Sequence, residues 1–215
     1  EVESLSRGIL FWRSFTHWVG GMGVLVFVMA ILPMSDGHGM HLMRAEVPGP
    51  SVGKLVSRMS DSAKILYGIY LVMTLLEIFL LLAGGTPLFD ACINSFTGGF
   101  SNRNLSVGAY GNAYYELVIG VFMLLFGINF NLYYFLMIRR FRDVFHSEEL
   151  RAYLGIVAAA VLAIAVDVAH LYDSFAVSLR HAFFQVSSII TTTGFATVDF
   201  NTWPTFSKGI LMVLM

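Results

Sequence analysis

Residues 117–138 run for 22 positions without an Asp, Glu, Lys or Arg. At 1.5 Å rise per residue, about 20 apolar residues span the ~30 Å hydrocarbon core of a bilayer. Three further runs meet the same condition. Residues 14–32 carry no charge, residues 65–83 carry only Glu77, and residues 152–172 carry only Asp167. A fifth run starts near Pro204. Lipid offers no hydrogen-bond partner to a peptide group, so spans of this kind are expected to be helices. The expected fold class is an all-α membrane protein.

Composition agrees. Apolar residues make up 57% of the 215 and charged residues 13%, with a mean hydropathy of +0.73. Soluble domains carry about 25% charge, so this chain has too little polar surface to cover a globule. The balance counts against a soluble enzyme and a disordered tail. A formal charge of −1 provides no basic field for phosphates, so nucleic acid is not an expected partner. Cys92 alone supports neither a disulfide framework nor a cysteine zinc site, and reads as a small packing residue. The chain begins at Glu1 with no recognisable cleavable signal and ends inside an apolar run, and it reads as a piece of a longer protein.

Two apolar segments are unlike the spans. Residues 87–96 are only 10 long, and residues 174–190 include Arg180, His181 and Gln185. Both lead into Thr/Gly-rich stretches, as re-entrant helices do. The loops 33–64 and 139–151 each hold four basic residues, together 8 of the chain's 13 Lys and Arg, which places them in the cytoplasm. The re-entrant segments then enter from outside.

The two segments repeat one another at an offset of 95. Phe89 falls on Phe184, Thr97 on Thr192, Gly99 on Gly194 and Phe100 on Phe195, with Asn104 and Asp199 also in register. Repeats around a shared axis are common in transport proteins. A monovalent cation entering a membrane must exchange water for other oxygens, and backbone carbonyls supply them. Gly99 and Gly194 can take positive φ, which lets successive carbonyls face one axis. Thr97, Thr192 and Thr193 add hydroxyls, and the C-terminal end of the preceding short helix favours a nearby cation. The expected K⁺-binding filter residues are Thr97, Gly98, Gly99 and Phe100 in one copy and Thr192, Thr193, Gly194 and Phe195 in the other.

These two segments resemble the filters of the Trk/Ktr/HKT superfamily of potassium transporters. Leu10–Phe11–Trp12–Arg13–Ser14 with Trp18–Val19–Gly20–Gly21–Met22–Gly23 resembles the start of its first return helix. Gly127–Ile128–Asn129–Phe130–Asn131 resembles the second return helix, and Thr192–Thr193–Gly194–Phe195–Ala196–Thr197 followed by Trp203 the third filter. Ala45–Glu46–Val47–Pro48–Gly49–Pro50 is similar to the first cytoplasmic loop of the bacterial Trk branch. The resemblance implies four repeats of outer helix, pore helix, filter and inner helix around a central pore. Residues 1–64 would then hold the return helix of repeat one and a cytoplasmic loop, residues 65–151 repeat two, and residues 152–215 repeat three up to the start of its inner helix. It further implies potassium uptake across the bacterial inner membrane, no organic cofactor, a homodimer, and a cytoplasmic nucleotide-binding regulatory ring. Two transport alternatives stay open: a Na⁺-permeable member of the same fold, and an unrelated secondary transporter with broken helices. An intramembrane enzyme is disfavoured, since no Gly-x-Ser-x-Gly or His-Glu-x-x-His pattern occurs.

Other polar residues receive plainer readings. Glu77 and Asp167 are either structurally paired, interfacial, or on the ion path. Asn129 and Asn131 suit interhelical hydrogen bonds, and Gly20, Gly21 and Gly23 suit close helix packing or room for a neighbouring pore helix. Arg103 reads as a solvated or pore-rim charge. Arg139, Arg140 and Arg142 with Glu148 and Glu149 read as a solvated cytoplasmic face or a docking surface for a regulator.

Overall fold

A computed structural model describes residues 4–21, 23, 59–96 and 106–215. The nine α-helices among the described residues are α1 (Arg7–Gly21), α2 (Met59–Ala83), α3 (Leu88–Phe96), α4 (Ala113–Phe126), α5 (Phe130–Met137), α6 (Phe141–Phe145), α7 (Glu148–Asp167), α8 (Phe175–Ile190) and α9 (Thr205–Leu214). Short 3₁₀ turns at Ser106–Tyr110, Ala169–Leu171 and Phe200–Thr202 join them. Two helical segments, Ala63–Ala83 and Glu148–Asp167, are long and apolar enough to cross a membrane singly. Many large apolar side chains along them face outward, among them Val72, Phe79, Leu162 and Val166. Outward apolar faces are what a lipid solvent requires and water would penalise.

The expected run 152–172 is helical from Glu148, where Ser147 accepts from the Leu150 amide as N-cap, to Asp167. The run 14–32 is entered by α1, seven residues earlier than expected, and its part beyond residue 23 lies outside the described residues. The two short apolar segments are short helices, as expected. α3 spans nine residues and α8 sixteen, the latter N-capped by Ser174, whose hydroxyl accepts from the Ala176 amide at 3.3 Å.

The run 117–138 departs from expectation. It is not one helix but two, α4 and α5, bent by 92° across Gly127–Asn129. The reason is local and tertiary together. Asn129 turns extended (ψ 119°) and its side-chain oxygen accepts from the Asn131 amide, starting a new helix. Two carbonyls at the end of α4 receive hydroxyl donors: Tyr153 of α7 donates to Leu124 O at 3.3 Å, and Tyr133 donates at 2.6 Å to Leu125 O, which also accepts from the Ile128 amide at 3.2 Å. Asn129 Nδ2 donates to Glu149 Oε2 at 3.3 Å, so this Asn both caps its own helix and bonds to a neighbouring one.

Packing ties these elements in sequence. α1 lies on α2 and α3: Trp18 stacks on Tyr70 with centroids 5.4 Å apart, donates from Nε1 to Thr74 Oγ1, and meets Phe96 at 5.8 Å. A second apolar cluster joins α2, α3 and α4 through Leu81, Ala91, Ile119 and Phe122, and extends to Phe184 and Phe195 beyond them. A third joins α7, α8 and α9 around Ile164, Ala182, Val186 and Trp203. Gly21 sits where a Cβ would meet the Tyr70 hydroxyl at 2.5 Å, which accounts for glycine there. At Gly20 a Cβ meets nothing within 4 Å among the described residues.

Candidate cation pathway

α8 ends at Ile190, and the next five residues form a looped segment built around their own pore helix. Thr191 Oγ1 donates to Ser187 O at 2.6 Å and contacts Thr193 Oγ1 at 2.7 Å. The Thr193 and Gly194 amides both donate to Ser188 O, at 2.9 and 3.4 Å. Ser188 Oγ donates to Phe195 O at 2.6 Å. Two fully buried serines at the end of α8 therefore hold the loop from behind. The adjacent Ser187 and Ser188 before a Thr/Gly run were the signal for this role, and sequence reasoning passed over them.

Within the loop the backbone turns left-handed twice, at Thr192 (φ 54°) and Gly194 (φ 85°). Gly194 was expected to adopt positive φ. Thr192 was not, and a β-branched residue there is strained by ~1–3 kcal/mol unless its surroundings impose it. Among the described residues, no group donates a hydrogen bond to the carbonyls of Thr192, Thr193 or Gly194. Phe195 is the loop's buried anchor, 3% exposed, packed in the α2–α3–α4 cluster.

A cavity of about 560 Å³ lies beside this loop. Thr191, Thr192 and Thr193 line it together with Asn94 and Ser95 from the end of α3, so both short helices finish at one space. Thr97, Gly98, Gly99 and Phe100 lie outside the described residues, as does Arg103. The bend contributes too: Phe126, Gly127 and Phe130 line the same cavity, and a Cβ on Gly127 would meet Tyr153 OH at 2.7 Å and Thr191 Cγ2 at 2.9 Å.

The two intramembrane acids separate cleanly. Asp167 Oδ2 accepts from both the amide and the hydroxyl of Ser207, at 3.2 and 2.6 Å, and so caps the start of α9. Its role is structural pairing. Glu77 is 4% exposed, lies beside Ser95 and lines the cavity. A third acid, Glu116, was not singled out from sequence because it falls one residue short of the charge-free run. It is 5% exposed, and its Oε2 lies 3.0 Å from Arg180 Nε on α8. Arg140 pairs with Asp143 at 2.9 Å in an exposed i,i+3 contact, while Glu149 is tied to the bend.

Comparison with known proteins places this architecture. A family model described as cation transport protein, TrkH, matches residues 1–215. The Trk system potassium uptake protein TrkH of Salmonella typhimurium is 36% identical over 98% of this chain and 45% of its own length. The Trk system potassium uptake protein TrkG of Escherichia coli K12 is 35% identical over 99% of this chain and 45% of its own. The crystal structure of the potassium transporter TrkH from Vibrio parahaemolyticus superimposes with a TM-score of 0.80 at 30% identity, covering all of this chain and 44% of that one. The chain thus spans a little under half the length of these relatives. With outward apolar helices, two short helices ending at one cavity, and a match along its whole length, the chain belongs to the TrkH family of cation transport proteins.

Proposed function

We propose that this chain forms part of a pore for potassium uptake across the bacterial inner membrane, with K⁺ as the transported ion held by backbone carbonyls. The observation that carries this reading is the loop at Thr192, Thr193 and Gly194. Its carbonyls have no donor among the described residues, beside a cavity at membrane depth. Unpaired carbonyls cost several kcal/mol in lipid, so a loop that keeps them needs another partner, and a dehydrated cation supplies one. The carbonyl end of α8 adds a negative dipole at the same place. Thr97, Gly98, Gly99 and Phe100 form the equivalent stretch of the preceding repeat in this reading, and residues 65–151 and 152–215 are successive repeats with the return helix of a first repeat before them.

The names of the relatives support K⁺ as the ion. Loops 33–64 and 139–151 are cytoplasmic in this reading. The exposed Arg139, Arg140 and Arg142 then face the side where a nucleotide-binding regulatory subunit would dock, and the complete protein pairs as a homodimer.

The test is ⁸⁶Rb⁺ uptake by the complete protein in a cell lacking its own potassium uptake, with Na⁺ as competitor. Saturable uptake that K⁺ displaces and a large excess of Na⁺ does not is the expected result. Equal displacement by Na⁺ would replace K⁺ selectivity with general cation permeation, and no uptake above background at normal insertion would remove the pore reading.

A further inference from the structure

We propose that Glu116, Arg180 and His181 are positioning residues that fix the outer limb of the Thr192–Gly194 loop and thereby set its discrimination between K⁺ and Na⁺. The proposal rests on the filter reading of that loop. Glu116 stands in the first turn of α4, and Arg180 and His181 stand on α8, so the contact joins the last helix pair of one repeat to the pore helix of the next. The Arg180–Glu116 contact, 3.0 Å from Nε to Oε2, is ionic rather than an aligned hydrogen bond. The carboxylate is 5% exposed. A buried carboxylate depends strongly on its partner, because removing either leaves an uncompensated charge.

His181 carries the contact onward. Its Nδ1 is 4.0 Å from Glu116 Oε2 and 3.3 Å from Thr197 Oγ1. The imidazole is fixed from its other side by Tyr172, with centroids 5.1 Å apart, and Tyr172 in turn accepts from Trp203 Nε1 at 3.1 Å. Thr197 is three residues past Gly194.

The same limb is held from the preceding repeat. Ser106 Oγ accepts from the Ala196 amide at 3.2 Å, and the Gly108 amide donates to Ala196 O at 3.2 Å. A Cβ on Gly108 would meet Thr197 O at 2.5 Å, so the two strands of chain lie in direct contact. Residues 196 and 197 are therefore gripped by the 106–108 turn and by His181, and the His and the pore helix are both referred to Glu116. None of these side chains lines the cavity. Their effect reaches an ion only through the position of the loop.

Selectivity among monovalent cations depends on how the carbonyls are held as well as on what they are, so loosening the limb should change preference before it abolishes passage. Glu116→Gln, Arg180→Gln and His181→Ala are expected each to lower the K⁺-over-Na⁺ preference of ⁸⁶Rb⁺ uptake about tenfold at comparable inserted protein. The double variant Glu116→Gln/Arg180→Gln should be no worse than either single, since both remove one contact. Arg180→Lys, which keeps the charge, should retain most of the preference. A readout independent of transport is the rate at which an impermeant thiol reagent labels Val198→Cys on a Cys92→Ser background, and Glu116→Gln should raise it severalfold. Should Glu116→Gln fail to insert, Thr197→Val tests the same limb without disturbing the ion pair and should lower preference in the same direction. Wild-type preference and wild-type labelling in the inserted variants would overturn the proposal, as would independent, additive losses in the double variant. Faster labelling in a protein that shows no selective uptake would retain the brace and overturn the pore reading alone.

Discussion

Helical geometry breaks after α4 and again after α8, and the carbonyls at the two breaks are treated in opposite ways. At the α4–α5 bend, Leu124 O and Leu125 O each receive a tyrosine hydroxyl, from Tyr153 and Tyr133. No residue of the bend is left-handed. At the loop after α8, hydrogen bonds fix the amides of residues 191–194 and the hydroxyls of Thr191 and Thr193, Thr192 and Gly194 are left-handed, and the carbonyls of Thr192, Thr193 and Gly194 have no donor among the described residues. In lipid a broken helix must satisfy its backbone inside the protein or at a wet cavity. The bend takes the first course and the loop the second. The comparison teaches that a helix break alone does not suggest an ion site; the proposed pore reading rests on a break that spends its bonds on amides and leaves carbonyls without a described donor.

The largest expected effect is at Gly194. Among the described residues a Cβ there meets nothing within 4 Å, and the cost comes from φ 85°. That strain is about 1–3 kcal/mol, and 1.4 kcal/mol is a tenfold change in an equilibrium. Gly194→Ser should cut K⁺ uptake or its preference over Na⁺ at least tenfold while the amount of inserted protein stays near wild type. Uptake and preference both at the wild-type level would erase the distinction drawn between the two breaks.

Gly127→Ala should behave in the opposite sense. Its Cβ would press on Tyr153 OH and Thr191 Cγ2 at 2.7 and 2.9 Å, an overpacking worth about 1–3 kcal/mol. Quantifying membrane-inserted protein and its thermal aggregation in detergent should reveal a severalfold loss, with the K⁺ preference of the surviving protein retained. A normal amount of protein with lost preference would instead make the bend part of the ion path, through Thr191.

The smallest effect is expected from Tyr133→Phe. It removes the hydroxyl donor to Leu125 O and leaves that carbonyl the Ile128 amide at 3.2 Å. Interhelical and tertiary hydrogen bonds in membranes average about 0.6 kcal/mol, so a thermal midpoint lower by a few degrees and unchanged uptake kinetics are anticipated. A large kinetic effect with no thermal shift would show that the bend moves during transport.

The spans 65–83 and 152–172, the short segments 87–96 and 174–190, and positive φ at Gly194 were legible in the residues, because apolar length and glycine are local properties. So was the family, through the filter stretches and the loops around them. The register that sets Phe89 on Phe184 also places the ends of α3 and α8 comparably, and both open on one cavity.

The break in 117–138 was not legible, since hydropathy counts length and is blind to direction. An uninterrupted apolar run is consistent with a straight helix until Tyr153, from another helix, takes up the Leu124 carbonyl and Glu149 of the same helix receives the Asn129 side chain. Nor did sequence separate the acids. Asp167 and Glu77 occupy similar places late in their helices, and only tertiary contacts turn one into a cap for Ser207 and leave the other at the cavity wall. Glu116 and Arg180 are 64 positions apart and meet only because α4 packs on α8. Residue order alone marked which segments are apolar enough for lipid and where glycine frees the backbone, because hydropathy and backbone freedom are set residue by residue. The tertiary structure alone decided which carbonyls are answered and which charges are paired, because a hydrogen bond or an ion pair between distant positions exists only once helices have packed.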